Sequence, residues 1–184
     1  MKLKKSLNIV GSLCLVTALC GTATLATAAE KTPAASATAS QTVSLLNGKQ
    51  VFNLQGYEMQ PVPGGGPGKM YVNKQAKRVL LIGEDDIPLI ARAGSDADFL
   101  EGMKTIKDKQ KQASPGYTVT SEKTENVKGL EVYHIEATDK MDGKDVLQAT
   151  LLAAGENKFT VIQVISGAKD KAGHIAAVND ILGK

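Results

Sequence analysis

Gly129–Gly155, GLEVYHIEATDKMDGKDVLQATLLAAG, decides how the rest of the chain is read. Two apolar runs, GLEVYHIEATD and KDVLQATLLAAG, flank Lys140-Met141-Asp142-Gly143. Asp-Gly accepts the positive φ that a tight two-residue turn demands, so the segment predicts a hairpin. KFTVIQVIS, residues 158–166, follows after Gly155-Glu156-Asn157 and extends the meander. Upstream, YTVTSEKT (117–124) alternates and is polar, which places it near a sheet edge.

Working outward, Ser95 to about Ala113 predicts a helix. Ser95 with Asp98 forms a capping box, and Asp96 adds negative charge to the first turn. Phe99, Met103, Ile106 and Ala113 share a stripe, and Pro115-Gly116 ends the run. Earlier, VSLLNG and QVFNLQ are split by Asn47-Gly48, a hairpin signal. KMYV and RVLLIG form another pair, and Val79–Ile82 is apolar on both faces, as in a covered central strand. Between the pairs, QPVPGGGPGK (60–69) is a loop. A final helix is expected over about Asp170–Leu182, burying Ile175, Val178, Ile181 and Leu182. Antiparallel meanders with segregated helices predict an α+β fold: an antiparallel sheet of about six to eight strands flanked by two main helices.

The first 42 residues read differently. Lys2, Lys4 and Lys5 precede an uncharged run, Leu7–Leu25, and then Ala26-Thr27-Ala28, the small-residue pattern of a signal peptidase site. Residues 1–28 are thus expected to be a signal peptide cleaved after Ala28, with Ala29 the nearby option. Two alternatives place the protein at the membrane: retention of residues 7–25 as an anchor, or lipidation at Cys20. Leu19 before Cys20 and Leu13 before Cys14 fit lipidation poorly, because that chemistry wants a small residue there. AEKTPAASATASQT (29–42) lacks large apolar residues and predicts a disordered tail, leaving residues 43–184 as one domain.

Cleavage would remove three lysines, no acids and both cysteines, so the formal charge of +3 falls to neutral. A neutral, mixed-charge surface argues against nucleic acid as partner. An exported chain without cysteine must be held by burial instead of disulfides. With no Trp and 4% aromatic residues, that core is aliphatic.

VSLLNGKQVFNLQGYEM, MYVNKQAKRVLLIGEDD, VKGLEVYHIEATDKMDGKDVLQATLLAAGENKFTVIQV and the closing NDIL together carry a resemblance. The chain resembles the DcrB family of envelope proteins and, more distantly, the Mog1/PsbP-like fold. The resemblance implies an exported envelope protein without a catalytic site, in a family linked to envelope homeostasis and phage susceptibility. It covers nearly all of residues 43–184, while the poor lipidation site departs from the lipoprotein members.

The residues themselves suggest little chemistry. Gly64-Gly65-Gly66-Pro67-Gly68-Lys69 imitates a phosphate loop, but Pro63 stands where Gly is required and Met70 where Ser or Thr is required. A partner-contact loop at Gly64, Gly65 and Gly66 is the functional reading that survives. Lys104, Lys107 and Lys111 share one side of the first helix and could meet anionic lipid headgroups, though cations also suit a helix C-terminus. His134 and His174 would need carboxylates such as Glu136 or Asp170 to hold a metal; otherwise His134 is a half-exposed strand residue and His174 a helix boundary residue. Glu84-Asp85-Asp86 lacks calcium-loop spacing and reads as a solvated loop. Ser95 lacks a nucleophile-elbow context. Glu131, Glu136 and Asp139 could pair for acid–base hydrolysis only around a pocket. The expectation is therefore a non-enzymatic, cofactor-free protein that binds an envelope protein or a lipid. A small-ligand module with an apolar pocket near Gly64–Gly68, and a periplasmic carboxylate hydrolase, are the alternatives.

Overall fold

The computed structural model describes residues 40–184. The predicted signal peptide, its cleavage at Ala28 or Ala29, Cys20, the anchor at residues 7–25 and most of the predicted tail lie outside the described residues. The tail's last three residues do not: β1 (Ser40–Leu45) begins at Ser40 and pairs with β2 (Gln50–Gln55), from Ser40↔Gln55 to Leu45↔Gln50. Composition missed this because a ladder partner, not side-chain burial, orders the segment; Thr42 Oγ1 also donates to Asn53 Oδ1 at 2.8 Å.

The main sheet has seven antiparallel strands in the order β3-β4-β5-β9-β8-β7-β6. They are β3 (Glu58–Gln60), β4 (Lys69–Asn73), β5 (Arg78–Asp86), β6 (Thr118–Val127), β7 (Leu130–Met141), β8 (Lys144–Gly155) and β9 (Lys158–Gly167). The β7–β8 turn is Asp142-Gly143, with φ of 50° and 73°, as the Asp-Gly pair predicts. Polar β6 lies at an edge, where a bulge between Val119 and Ser121 and its charged side chains blunt pairing with other chains. β5 is covered on both faces: Leu80 and Ile82 enter one core and Leu81 the other. Its last residues, Glu84-Asp85-Asp86, belong to the strand and not to a loop; Glu84 accepts from the Leu46 N–H at 2.9 Å and meets Lys158 at 3.5 Å.

Alternation along β9 separates the cores. Phe159, Val161 and Ile165 face α1 (Asp96–Met103) and α2 (Ile106–Ala113); Ile162 and Val164 face the β1–β2 hairpin and α3 (Lys171–Leu182). The result is a three-layer α+β sandwich.

The expected first helix is thus two. Gly102 weakens helix propagation, and the Thr105 hydroxyl donates to the Gly102 carbonyl at 3.2 Å, competing with the helical ladder. The capping box at its start is present: Asp98 N–H donates to Ser95 Oγ and Ser95 N–H to Asp98 Oδ2. α3 starts from an Asp170 N-cap and ends on Gly183 at φ 67°. Its buried stripe is His174, Ala177, Val178, Ile181 and Leu182, whereas Ile175 is 47% exposed. Ile175 sits about 100° around the helix from His174, so the stripe's true start is the histidine. Burying Val178, Ile181 and Leu182 contributes roughly 1.5–3 kcal/mol each before ordering entropy.

Candidate functional site

Gly64, Gly65 and Gly66 lie at an exposed turn over Pro63–Gly65, with φ of 74° and 66° at Gly64 and Gly65. The chain then enters β4, not the helix a phosphate loop needs. Nearby Gly68 is required for a steric reason: at φ 100°, a Cβ would stand 2.7 Å from the Ile82 carbonyl oxygen.

The lysine side of the helices is already partly engaged. Lys104 pairs with Glu101 at 2.5 Å and stands 5.1 Å above the Tyr133 ring. Lys107 pairs with Glu122 at 2.5 Å, and the Tyr133 hydroxyl donates to the same carboxylate oxygen at 2.6 Å. The hydrogen bond to Glu122 holds Lys107 above its ordinary pKa, and the same bond holds Glu122 below its own. Lys111 is exposed. Glu131 and Glu136 stand on opposite faces of β7, and buried Asp139 accepts from Ser114 Oγ at 2.7 Å, so the three carboxylates do not converge.

The two histidines, by contrast, are brought together. His134 and His174 are 7% and 2% exposed, so neither is the half-exposed or boundary residue expected from the sequence. The reason is strand parity: Leu130, Val132, His134 and Glu136 share the face covered by α3. His134 Nε2 lies 2.6 Å from Glu136 Oε1, and His174 Nε2 lies 3.1 Å from Glu136 Oε2. His134 Nδ1 faces Glu125 Oε1 at 3.2 Å, and Glu125 also meets Lys184 and Lys123. On the other side, His174 Nδ1 lies 3.0 Å from Ser166 Oγ, which accepts from Arg78 Nε at 3.0 Å. Arg78 Nη2 meets Asp170 Oδ2 at 2.5 Å. The network thus runs from β6 through β7, α3 and β9 to β5.

Burial pushes Glu136 and Glu125 upward, but their partners outweigh it. Hydrogen bonds and charge from both histidines hold Glu136 at about 2, and bonds from Lys184 and His134 do the same for Glu125. Glu136 is an acceptor between two rings, and among the described residues no three His, Cys, Asp or Glu side chains could hold a metal ion. Ser166, His174 and Glu136 are connected as in an acyl-transfer triad. Ser166 is only 1% exposed and its oxygen already receives Arg78, so the arrangement offers a substrate no approach. Its evident work is to fasten the two ends of α3 to the sheet.

The open site is on the other face. An apolar groove of about 510 Å³ lies between α1, α2 and the turn after β5. Ile90, Phe99, Met103, Ile106 and Phe159 line it, with Phe99 and Phe159 ring centroids 5.2 Å apart. Gly102 lines it too, and a Cβ there would meet nothing within 4 Å. The turn is pinned by Arg92 Nε donating to the Ile87 carbonyl at 2.7 Å, and it presents Leu89 and Ile90 at 80% and 73% exposure. This pocket lies between sheet and helix as a small-ligand module requires, but none of Gly64–Gly68 lines it. The sequence missed it because the groove depends on the break between α1 and α2, which the helical pattern conceals; the adjacent Leu89-Ile90 after Pro88 was the available signal. A second depression of about 830 Å³, between the hairpin and α3, is polar, and its Arg78 is already paired.

A scan of protein-family models and a search of curated proteins find no match. Among solved structures, the chain is similar to cyanobacterial PsbP (CyanoP) from Synechocystis sp., with a TM-score of 0.51 and 17% identity over 84% of this chain and 95% of that one. PA94 of Pseudomonas aeruginosa, a protein of unknown function described as a putative regulator, aligns at a TM-score of 0.45 and 14% identity, covering 76% and 91%. LpqN of Mycobacterium tuberculosis, involved in cell envelope biogenesis, aligns at 0.45 and 12%, covering 82% and 84%. At these identities the comparisons speak to fold, and of these three CyanoP, with a TM-score above 0.5, carries that point. The domain has a PsbP-like α+β fold.

Proposed function

We propose that this is an exported accessory protein of the cell envelope, DcrB-like, that acts by binding and not by catalysis. The observation that carries the reading is the apolar groove with Leu89 and Ile90 exposed at its mouth. Two neighbouring aliphatic side chains left in water contribute nothing to the core, and beside a concave apolar site they mark a contact surface. The basic start, apolar run and Ala26-Thr27-Ala28 of the N-terminal segment support export. Among the described residues no helix is long and apolar enough to cross a membrane. A carboxylate hydrolase is disfavoured by Glu131 and Glu136 facing opposite ways.

A photo-crosslinking residue placed at Ile90 in the full chain, expressed in cells, tests this. Adducts with an envelope component, from a protein found in the envelope fraction, are expected. Cytoplasmic localisation, or adducts equally frequent from an exposed position on β6, would end the proposal.

A further inference from the structure

We propose that the groove takes the acyl chain of an anionic amphiphile presented by a lipid surface; this rests on the binding role above and names its ligand. The lining decides the ligand class by elimination. Its polar side chains are Asp98, Thr105 and Lys109. Asp98 is consumed by the helix cap, accepting from the Ser95 N–H at 3.0 Å and the Ser95 hydroxyl at 2.7 Å. Thr105 donates its hydroxyl to the Gly102 carbonyl. Lys109 has no ion pair or side-chain hydrogen bond among the described residues, so of the two charged side chains in the lining Asp98 is held at the helix cap and the Lys109 cation is left for a ligand. The complement is a molecule with one apolar chain and one anionic end.

A protein segment fits less well. Each residue of a peptide brings an N–H and a C=O that must be paired once removed from water, and of the lining side chains only Lys109 is left unpaired, enough for few of them. A hydrocarbon chain makes no such demand. The volume of about 510 Å³ also falls within the roughly 300–1,000 Å³ range of small-molecule sites.

The mouth says where the chain comes from. Leu89 and Ile90 project from the turn that borders the groove, and Ile90 also lines it. Exposed Arg92 follows them directly after the turn, and Lys109 lines the groove. Aliphatic tips with nearby cations are what an anionic bilayer surface attracts. The Leu89–Ala91 turn touches the lipid surface, and the groove behind it receives one chain.

The test uses the full chain and 11-(dansylamino)undecanoic acid as fluorescent probe. Saturable fluorescence enhancement is expected, weakened about tenfold or more by Gly102→Leu, which fills the groove. Lys109→Ala should weaken the acid about tenfold and its methyl ester far less. Leu89→Asp with Ile90→Asp should lower binding to phosphatidylglycerol vesicles severalfold, with phosphatidylcholine vesicles bound weakly by both proteins. Should Gly102→Leu fail to fold, spin-labelled stearate on the unmodified chain replaces it. Resonances of Phe99, Met103 and Phe159 should broaden, while those of Val178 and Ile181 on the opposite face should not. No saturable binding, equal affinity in Gly102→Leu, or broadening spread over both faces overturns the acyl assignment. So does displacement of the probe by an apolar decapeptide but not by palmitate, although the binding role then stands. Probe binding without any envelope crosslink from Ile90 separates the two readings the other way.

Discussion

His134 Nε2 lies 2.6 Å from one Glu136 oxygen, while its Nδ1 faces a Glu125 oxygen at 3.2 Å. A neutral imidazole has one N–H and one lone pair, and carboxylates only accept. Both contacts are hydrogen bonds only when His134 carries a proton on each nitrogen. Nitrogen-15 spectra of the histidine rings should show both His134 nitrogens hydrogen-bonded, one shifting in Glu136→Gln and the other in Glu125→Gln; a nitrogen that responds to neither would sink this reading. His134→Leu should destabilise the domain by somewhat less than the roughly 3–5 kcal/mol of a broken buried pair, since both carboxylates keep some solvent contact.

Acid should undo the same cluster from the carboxylate side. Glu136 and Glu125 are both held at about 2 in the fold, against an ordinary 4.5. Depressed folded values stabilise the fold fully above the unfolded value, and that contribution is lost as pH falls toward the folded one. Denaturant midpoints should be flat just above 4.5 and fall steadily from there to about 2. Glu136→Gln should flatten that slope, removing a contribution on the order of 2–3 kcal/mol. An unchanged slope would show that other groups drive the acid transition.

Two helical glycines should respond oppositely to the same substitution. A Cβ at Gly102 meets nothing within 4 Å, so Gly102→Ala should stabilise by roughly 0.4–1 kcal/mol through the unfolded chain. At Gly173 the Cβ would enter the Arg78–Asp170 pair, with both Asp170 carboxylate oxygens 2.5 Å away and Arg78 Nη2 also in contact. Gly173→Ala should therefore destabilise despite alanine's better helix propensity. Thermal melts of the two variants decide it; stabilisation of both would mean that Arg78 moves aside freely.

The sheet was legible in the sequence, while the site was not. Asp142-Gly143 gives its hairpin away because only a few residues tolerate positive φ, and Val79–Ile82 announces a strand covered twice because no polar face interrupts it. Such signals are local. The pairing of His134 with His174 spans 40 positions and needs the parity of β7 together with the docking of α3, neither of which is written beside either histidine. The groove depends on a helix break that the Phe99–Ile106 stripe conceals. The lysine stripe misleads in the opposite way: Lys104 and Lys107 share a side, but Glu101, Glu122 and Tyr133 have already claimed them.

Leu46 joins the hairpin to the sheet by two independent means, and they can be separated. Its side chain is fully buried in the core shared with α3, although its backbone adopts a left-handed φ of 52°. A leucine accepts that conformation only where packing outweighs a cost of roughly 1–2 kcal/mol. Its N–H, meanwhile, donates to Glu84 Oε2, thirty-eight positions away on β5. Leu46→Ala removes the packing and keeps the bond, so it should cost roughly 2–5 kcal/mol. Glu84→Gln keeps an acceptor of similar reach and should cost little, whereas Glu84→Leu leaves the N–H without its acceptor and should cost roughly 1–3 kcal/mol. Hydrogen exchange at the Leu46 amide distinguishes the cases: protection should persist in Glu84→Gln and fall in Glu84→Leu. Equal protection in both would mean that burial alone, and not the carboxylate, holds the hairpin against the sheet.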